Sequence, residues 1–113
     1  MAARTERIGV SANVLNLPLR QPPAVLARAA ASLDLLSGGR TSLGLGAGFY
    51  WDAVQAAGGR RLTPLQAVAA LGEAIDVIRG IWDADRPGTL TASGEFYQVH
   101  GAERGPAPAH EIP

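Results

Sequence analysis

Two hydrophobic rhythms alternate along this chain. Residues 7–17 place Ile8, Val10, Val14 and Leu15 among small and polar residues, which predicts a strand buried on both faces. Pro18 ends it. Pro22 and Pro23 then mark a turn and a helix start, since proline suits the first helical turn. From residue 24 to 36 the period lengthens: Val25, Leu26, Ala29, Leu33 and Leu36 recur at threes and fours, with Arg28 and Asp34 outside the stripe. Gly38 and Gly39 stop this helix. A short strand follows over 41–45 and runs into Gly44-Leu45-Gly46-Ala47-Gly48. Strand, helix and strand with short connections predict a parallel pair with a right-handed crossover.

The second half repeats the helical rhythm. A short helix is expected over 51–57, halted by Gly58 and Gly59, with Asp52 as its cap. Thr63-Pro64-Leu65-Gln66 combines an N-cap threonine, a first-turn proline and a glutamine placed to close a capping box. The helix it opens should bury Leu65, Val68, Leu71, Ile75, Ile78 and Trp82, with Asp76 and Arg79 paired on the other face. Residues 89–92 and 95–99 read as a hairpin around Ser93-Gly94, and 101–113 as a Gly, Pro and Ala loop.

Composition narrows the chemistry. The 113 residues hold ten basic and ten acidic side chains and two histidines, for a formal net charge of zero. Phosphate-backbone binding needs a basic surplus, so a nucleic-acid module is excluded, and so is a polybasic membrane anchor. Without cysteine there is no disulfide framework or thiolate metal site, and His100 and His110 lack ligand spacing, so no metal site is expected. No segment resembles a targeting signal or approaches the ~20 apolar residues of a membrane span. The expected setting is cytoplasmic.

Three features could bear chemistry. The Gly44-x-Gly46-x-Gly48 turn lies at the C-terminal end of a parallel strand, where α/β folds bind ligands. Its spacing matches neither the dinucleotide fingerprint nor a P-loop, and a plain strand-to-helix turn would read the same way. Asn13 and Asn16 are polar residues in an apolar strand, and each needs a partner, either a ligand or neighbouring backbone. Phe49, Tyr50 and Trp51 follow the glycines directly and suit either a flat ligand site or packing beneath the next helix. No serine, histidine and carboxylate set has a defensible geometry, so the catalytic residues are unassigned.

The run from Leu36 to Gly48, with Ser37-Gly38-Gly39-Arg40 leading into Gly44-x-Gly46-x-Gly48, resembles the bacterial luciferase-like family of flavin-dependent monooxygenases and deazaflavin-dependent oxidoreductases. Thr5-Glu6-Arg7-Ile8 and the stretch from Pro23 to Asp34 agree upstream. Glu73-Ala74-Ile75-Asp76-Val77-Ile78-Arg79 with Trp82, then Gly94-Glu95-Phe96-Tyr97, agree downstream. The resemblance implies an α/β fold, a partial (β/α)8 barrel: a strand-helix-strand-helix segment over 4–83 and a hairpin insertion with loop over 84–113. It implies FMN or the deazaflavin coenzyme F-420 at the C-terminal strand ends, held by Asn13, Val14, Gly46, Ala47, Gly48 and Phe49. A non-prolyl cis peptide would fall at about Asn13-Val14.

The implied chemistry is hydride transfer between the ring and a small-molecule substrate or NAD(P)H, in a homo-oligomeric parent. Flavin members of the family also activate oxygen. Phe49 and Asp52 stand where some deazaflavin members carry Glu and Asn, which leaves the choice of cofactor open. About two of eight barrel strands are expected here, so the resemblance implies an internal piece of such an enzyme. The alternative is a non-catalytic α/β fragment that acts only by associating with itself or a partner.

Overall fold

The computed structural model describes residues 1–19 and 22–113. Its seven main elements run β1 (Val10–Asn16), α1 (Pro23–Ser37), β2 (Thr41–Gly46), α2 (Trp51–Ala56), α3 (Pro64–Trp82), β3 (Leu90–Ser93) and β4 (Gln98–Ala102). β1 and β2 pair in parallel, Val10 beside Thr41 and Asn16 beside Gly46, with the register shifting between Ala12 and Leu15. β3 and β4 form a separate antiparallel pair. The expected βαβ unit and hairpin are both present, and with them the partial-barrel fold class.

Helix ends follow the local chemistry. α1 starts on a proline and stops at Gly38, whose φ of 71° is the left-handed region that favours glycine. The amide of Gly38 donates to Leu35 and that of Gly39 to Asp34, so the last carbonyls of the helix are satisfied. α3 carries the full capping box: Gln66 N–H donates to Thr63 Oγ1 at 3.3 Å, and Thr63 N–H donates to Gln66 Oε1 at 3.0 Å. α2 departs from expectation. Its N-cap is Tyr50 at φ 53°, and Asp52 instead pairs with Arg61.

The buried faces match the predicted stripes only in part: Ile78 is buried, and Leu26, Leu33, Leu71, Ile75 and Trp82 are half-buried. α3 buries Ala67, Ala70, Ala74, Val77, Ile78 and Ile81, while Leu65 is 85% exposed and Val68 65%. α1 buries Pro23, Ala27, Ala30, Ala31, Asp34 and Ser37, and leaves Val25 and Leu36 exposed. α1 and the first half of α3 pack through small residues, while the second half of α3 packs Val77, Ile78 and Ile81. Alanine on facing surfaces lets α1 and α3 approach closely, and large side chains there would hold them apart. Ala27, Val77, Ile78, Ile81, Leu90 and Val99 form the main core, joined at its edge by Trp82, whose indole N–H donates to Ala27 O at 2.8 Å. β1 is not buried on both faces either: its residues are half-buried or exposed throughout.

Asp34, placed outside the stripe by periodicity, is fully buried. Its carboxylate accepts from Thr41 N–H at 3.2 Å and His110 N–H at 3.1 Å, and lies 2.9 Å from His110 Nδ1. Burial pushes its pKa up. The hydrogen bonds from the His110 side chain and from the Thr41 and His110 backbone outweigh that and hold it below the usual carboxylate value. The network ties the C-terminal loop to the start of β2.

Candidate functional site

The C-terminal ends of β1 and β2 meet at a patch built on missing side chains. A Cβ on Gly44 would lie 2.5 Å from Ala12 O and 3.1 Å from Val14 Cγ1, and one on Gly46 would lie 3.1 Å from Val14 Cγ2. The glycines therefore admit Val14 across the strand pair. The Asn13-Val14 peptide is cis, in the stretch where the register shifts. Val14 remains 55% exposed, so an apolar side chain stands on a glycine floor and faces outward. Gly48, at φ 123°, has no room for a Cβ: Trp51 Cη2 would be 2.6 Å away and Pro18 Cγ 2.8 Å away.

Of the predicted residues, Asn13 and Val14 are exposed in the stretch of β1 where the register shifts, while Gly46, Ala47 and Gly48 are half-buried, Gly46 lying opposite Asn16 and close to the Val14 side chain. Phe49 does not join that shelf. It is 68% exposed and meets Tyr50 edge-on, ring centroids 4.4 Å apart. The aromatic run thus splits: Trp51 turns in against Gly48, and the other two form an outer pair. Asn16 Oδ1 is buried with no hydrogen-bond partner, a polar atom left over at the strand end.

Four residues of the neighbourhood were not singled out one by one in the sequence. Ala47 and Trp51 share a cluster with Leu62, Ala67, Ala70, Phe96 and Tyr97, so the hairpin loop reaches the back of the glycine turn. Arg60 stacks over Phe96 at 5.5 Å from the ring centroid. Glu73 accepts from the Glu95 and Phe96 amides at 2.5 and 2.7 Å. The Gly94-Glu95-Phe96-Tyr97 motif held part of this signal, but nothing local shows that a loop some twenty residues past α3's centre folds back onto it. His100 and Glu103 are exposed, and no group of three His, Asp or Glu side chains suited to a metal occurs among the described residues.

A parallel strand pair flanked by helices, with a glycine-floored patch at its C-terminal end, is the pattern of a segment of an α/β barrel, a fold whose strand-end face is where ligands are bound. The match is specific. The luciferase-like monooxygenase family model covers residues 1–113, and the chain belongs to that family. It is 32% identical over 113 residues to an F420-dependent glucose-6-phosphate dehydrogenase of Amycolatopsis mediterranei, matching all of this chain and 33% of that protein. Among solved structures it is similar to an F420-dependent secondary alcohol dehydrogenase in complex with an F420-acetone adduct. That match has TM-score 0.84 and 25% identity, and covers 99% of this chain and 33% of the other. It is also similar to an FMN-bound type II Baeyer-Villiger monooxygenase component from Pseudomonas putida, with TM-score 0.72 and 28% identity over 87% of this chain and 26% of that one. The chain spans about a third of the length of the curated relatives it matches. No described helix is long and apolar enough to cross a membrane.

Proposed function

We propose that this chain supplies one wall of the cofactor site of a flavin- or deazaflavin-dependent oxidoreductase that moves a hydride to or from a small organic substrate. The observation that carries the reading is Val14, held outward on the Gly44 and Gly46 floor at the ends of two parallel strands. An exposed branched side chain with rigid backbone beneath it suits the face of a flat ring. Relatives whose names specify F420 and a solved relative holding FMN support both ring types.

The residues fit such a group. Asn13 and Val14 would lie under the ring, with Gly46, Ala47 and Gly48 along its side and Phe49 at the outer rim. Hydride transfer is the chemistry the bound cofactor supplies. The chain's own part is to bind and orient: Val14 excludes water from one ring face, and the glycines let backbone amides approach where a side chain would block them. No general acid or base is assigned among the described residues.

Thermal unfolding with and without ligand tests the reading. At a hundredfold excess over the dissociation constant, a ligand of the folded state adds ~2.7 kcal/mol. The melting midpoint should rise with FMN or with F-420, and the responsive one names the cofactor. Val14→Asp puts a charge where the ring would lie, at an exposed position. It should abolish the shift and leave the ligand-free midpoint in place. No shift with either cofactor would sink the proposal.

A further inference from the structure

We propose that Glu73 is a positioning residue for the cofactor wall: it clamps the β3–β4 loop so that Phe96 and Tyr97 support the glycine turn from behind. The inference rests on the cofactor-wall reading above and extends it to a residue that need not touch the ligand. Glu73 sits on α3 one turn after Ala70, half-buried. Both of its carboxylate oxygens are used: Oε1 accepts from Glu95 N–H at 2.5 Å and Oε2 from Phe96 N–H at 2.7 Å. Two amides on one carboxylate make a charge-assisted clamp, stronger than neutral pairs.

The loop has the shape the clamp requires. Gly94 N–H donates to Tyr97 O at 3.0 Å and closes a four-residue turn. A Cβ on Gly94 would collide with Glu73 Oε1, so glycine is what lets the carboxylate in. Beyond the clamp, Phe96 and Tyr97 pack against Leu62, Ala67 and Ala70, the same buried residues on which Ala47 and Trp51 rest. Trp51 in turn fills the space that a side chain on Gly48 would need. A chain of contacts therefore runs from the Glu73 carboxylate through the loop aromatics and the Leu62, Ala67 and Ala70 cluster to Ala47 and Trp51 of the glycine turn. Gln98 also braces the tip, accepting from Ser93 Oγ at 2.7 Å and donating from Nε2 to Gly94 O, so the Glu73 clamp acts on the Glu95 and Phe96 amides in particular. Removing the clamp leaves those two amides unpaired and loosens the placement of the Phe96 and Tyr97 rings.

Two variants reach the clamp from opposite sides. Glu73→Gln turns one acceptor into a donor that faces an amide N–H. Gly94→Ala leaves the carboxylate intact and pushes it off the loop. Each is titrated with FMN and with F-420 by fluorescence, beside the unmodified chain. Visible circular dichroism of the bound ring, amide hydrogen exchange at Glu95 and Phe96, and the ligand-free melt accompany each titration.

The expected result in both variants is faster exchange at the two amides, an altered ring signal and an affinity lower by about tenfold, the worth of one such hydrogen bond. The ligand-free midpoint should fall only modestly, by less than the loss of affinity accounts for. Freed amides with unchanged affinity and ring signal would overturn the positioning role and leave the cofactor wall standing. A variant that unfolds, or loses affinity only in proportion to a lowered melt, would make Glu73 merely structural and also overturn it. If the unmodified chain binds neither cofactor, the cofactor-wall reading fails, and this inference with it.

Discussion

Arg40 donates five hydrogen bonds: from Nε to Ser37 O, from Nη1 to Thr5 Oγ1 and Ile8 O, and from Nη2 to the carbonyls of Ala2 and Thr5. It gathers the N-terminal segment onto the α1–β2 turn. The planar fork is what matches several oxygens at once, so Arg40→Lys should behave nearly as badly as Arg40→Ala. Both should cost on the order of 2–3 kcal/mol in urea unfolding, the range of one charge-assisted hydrogen bond among several partly redundant ones. A loss in Arg40→Ala fully rescued by Lys would contradict the fork argument. The neighbouring Asp34 network sets a pH dependence. Its folded pKa lies below the unfolded value, so its contribution is present above the unfolded value and disappears as pH falls through the lower folded one. Acid titration of the melting midpoint should show that loss, and Asp34→Asn should flatten it. Together these residues divide the Ser-Gly-Gly-Arg…Gly-x-Gly-x-Gly signature in two. Its first half serves stability at the N-terminal ends of the strands. Its second half serves the candidate site at the other end. The signature was legible as one motif, but that division was not, because it depends on which end of a strand each half occupies.

At the scale of elements, type and order were legible from residue chemistry: Pro23 and Gly38 bracket α1, and the Thr63–Gln66 box opens α3. The buried faces were legible only in part. Ile78 falls on the predicted stripe and is buried, whereas α1 and the first half of α3 pack through alanine, which a hydrophobic stripe barely registers. Leu65 and Val68 also belong to a chain whose relatives are three times longer, so exposure here need not match any stripe drawn for a whole barrel. The packing has a measurable consequence. Ala74 is fully buried between α3 and its neighbours, so Ala74→Leu should overpack and cost about 1–3 kcal/mol. Leu65→Gln, at an exposed site, should stay within about 0.5 kcal/mol. The opposite order in denaturant melts would restore the predicted stripe as the true packed face. The hairpin was legible from Ser93-Gly94, but its docking by Glu73 was not, because a carboxylate on a helix gives no hint of which distant amides it will meet.

For the molecule as a whole, the decisive feature is a parallel pair that has no third strand among the described residues. Among the described residues β1 and β2 pair only with each other, and parallel sheets are stable when both edges and faces are covered. The outer edge of β2 has one partner already, since Leu43 N–H donates to Pro113 O at 2.9 Å, while Ile112 is buried. An apolar cavity of about 220 Å³ follows that edge, lined by Leu43, Leu45, Leu71, Ile75, Trp82 and Ile112. A second one of about 320 Å³ follows the β1 side, where Leu15, Leu26 and Leu33 line it. Open strand edges beside apolar grooves invite pairing with further strands, and in a solution of this 113-residue chain the strands available are those of other copies. Sedimentation equilibrium should therefore give a mass that rises with concentration. Leu45→Lys sets a charge in the β2 groove and should return the chain to a monomer; Leu45 also packs at the edge of the main core, so the unfolding midpoint is measured beside the mass. A single monomeric mass at every concentration would show that the short pairing with Pro113 and the helices already shield the edge. Association untouched by Leu45→Lys would place the contact elsewhere, with the exposed face of Leu65 and Val68 next to be substituted.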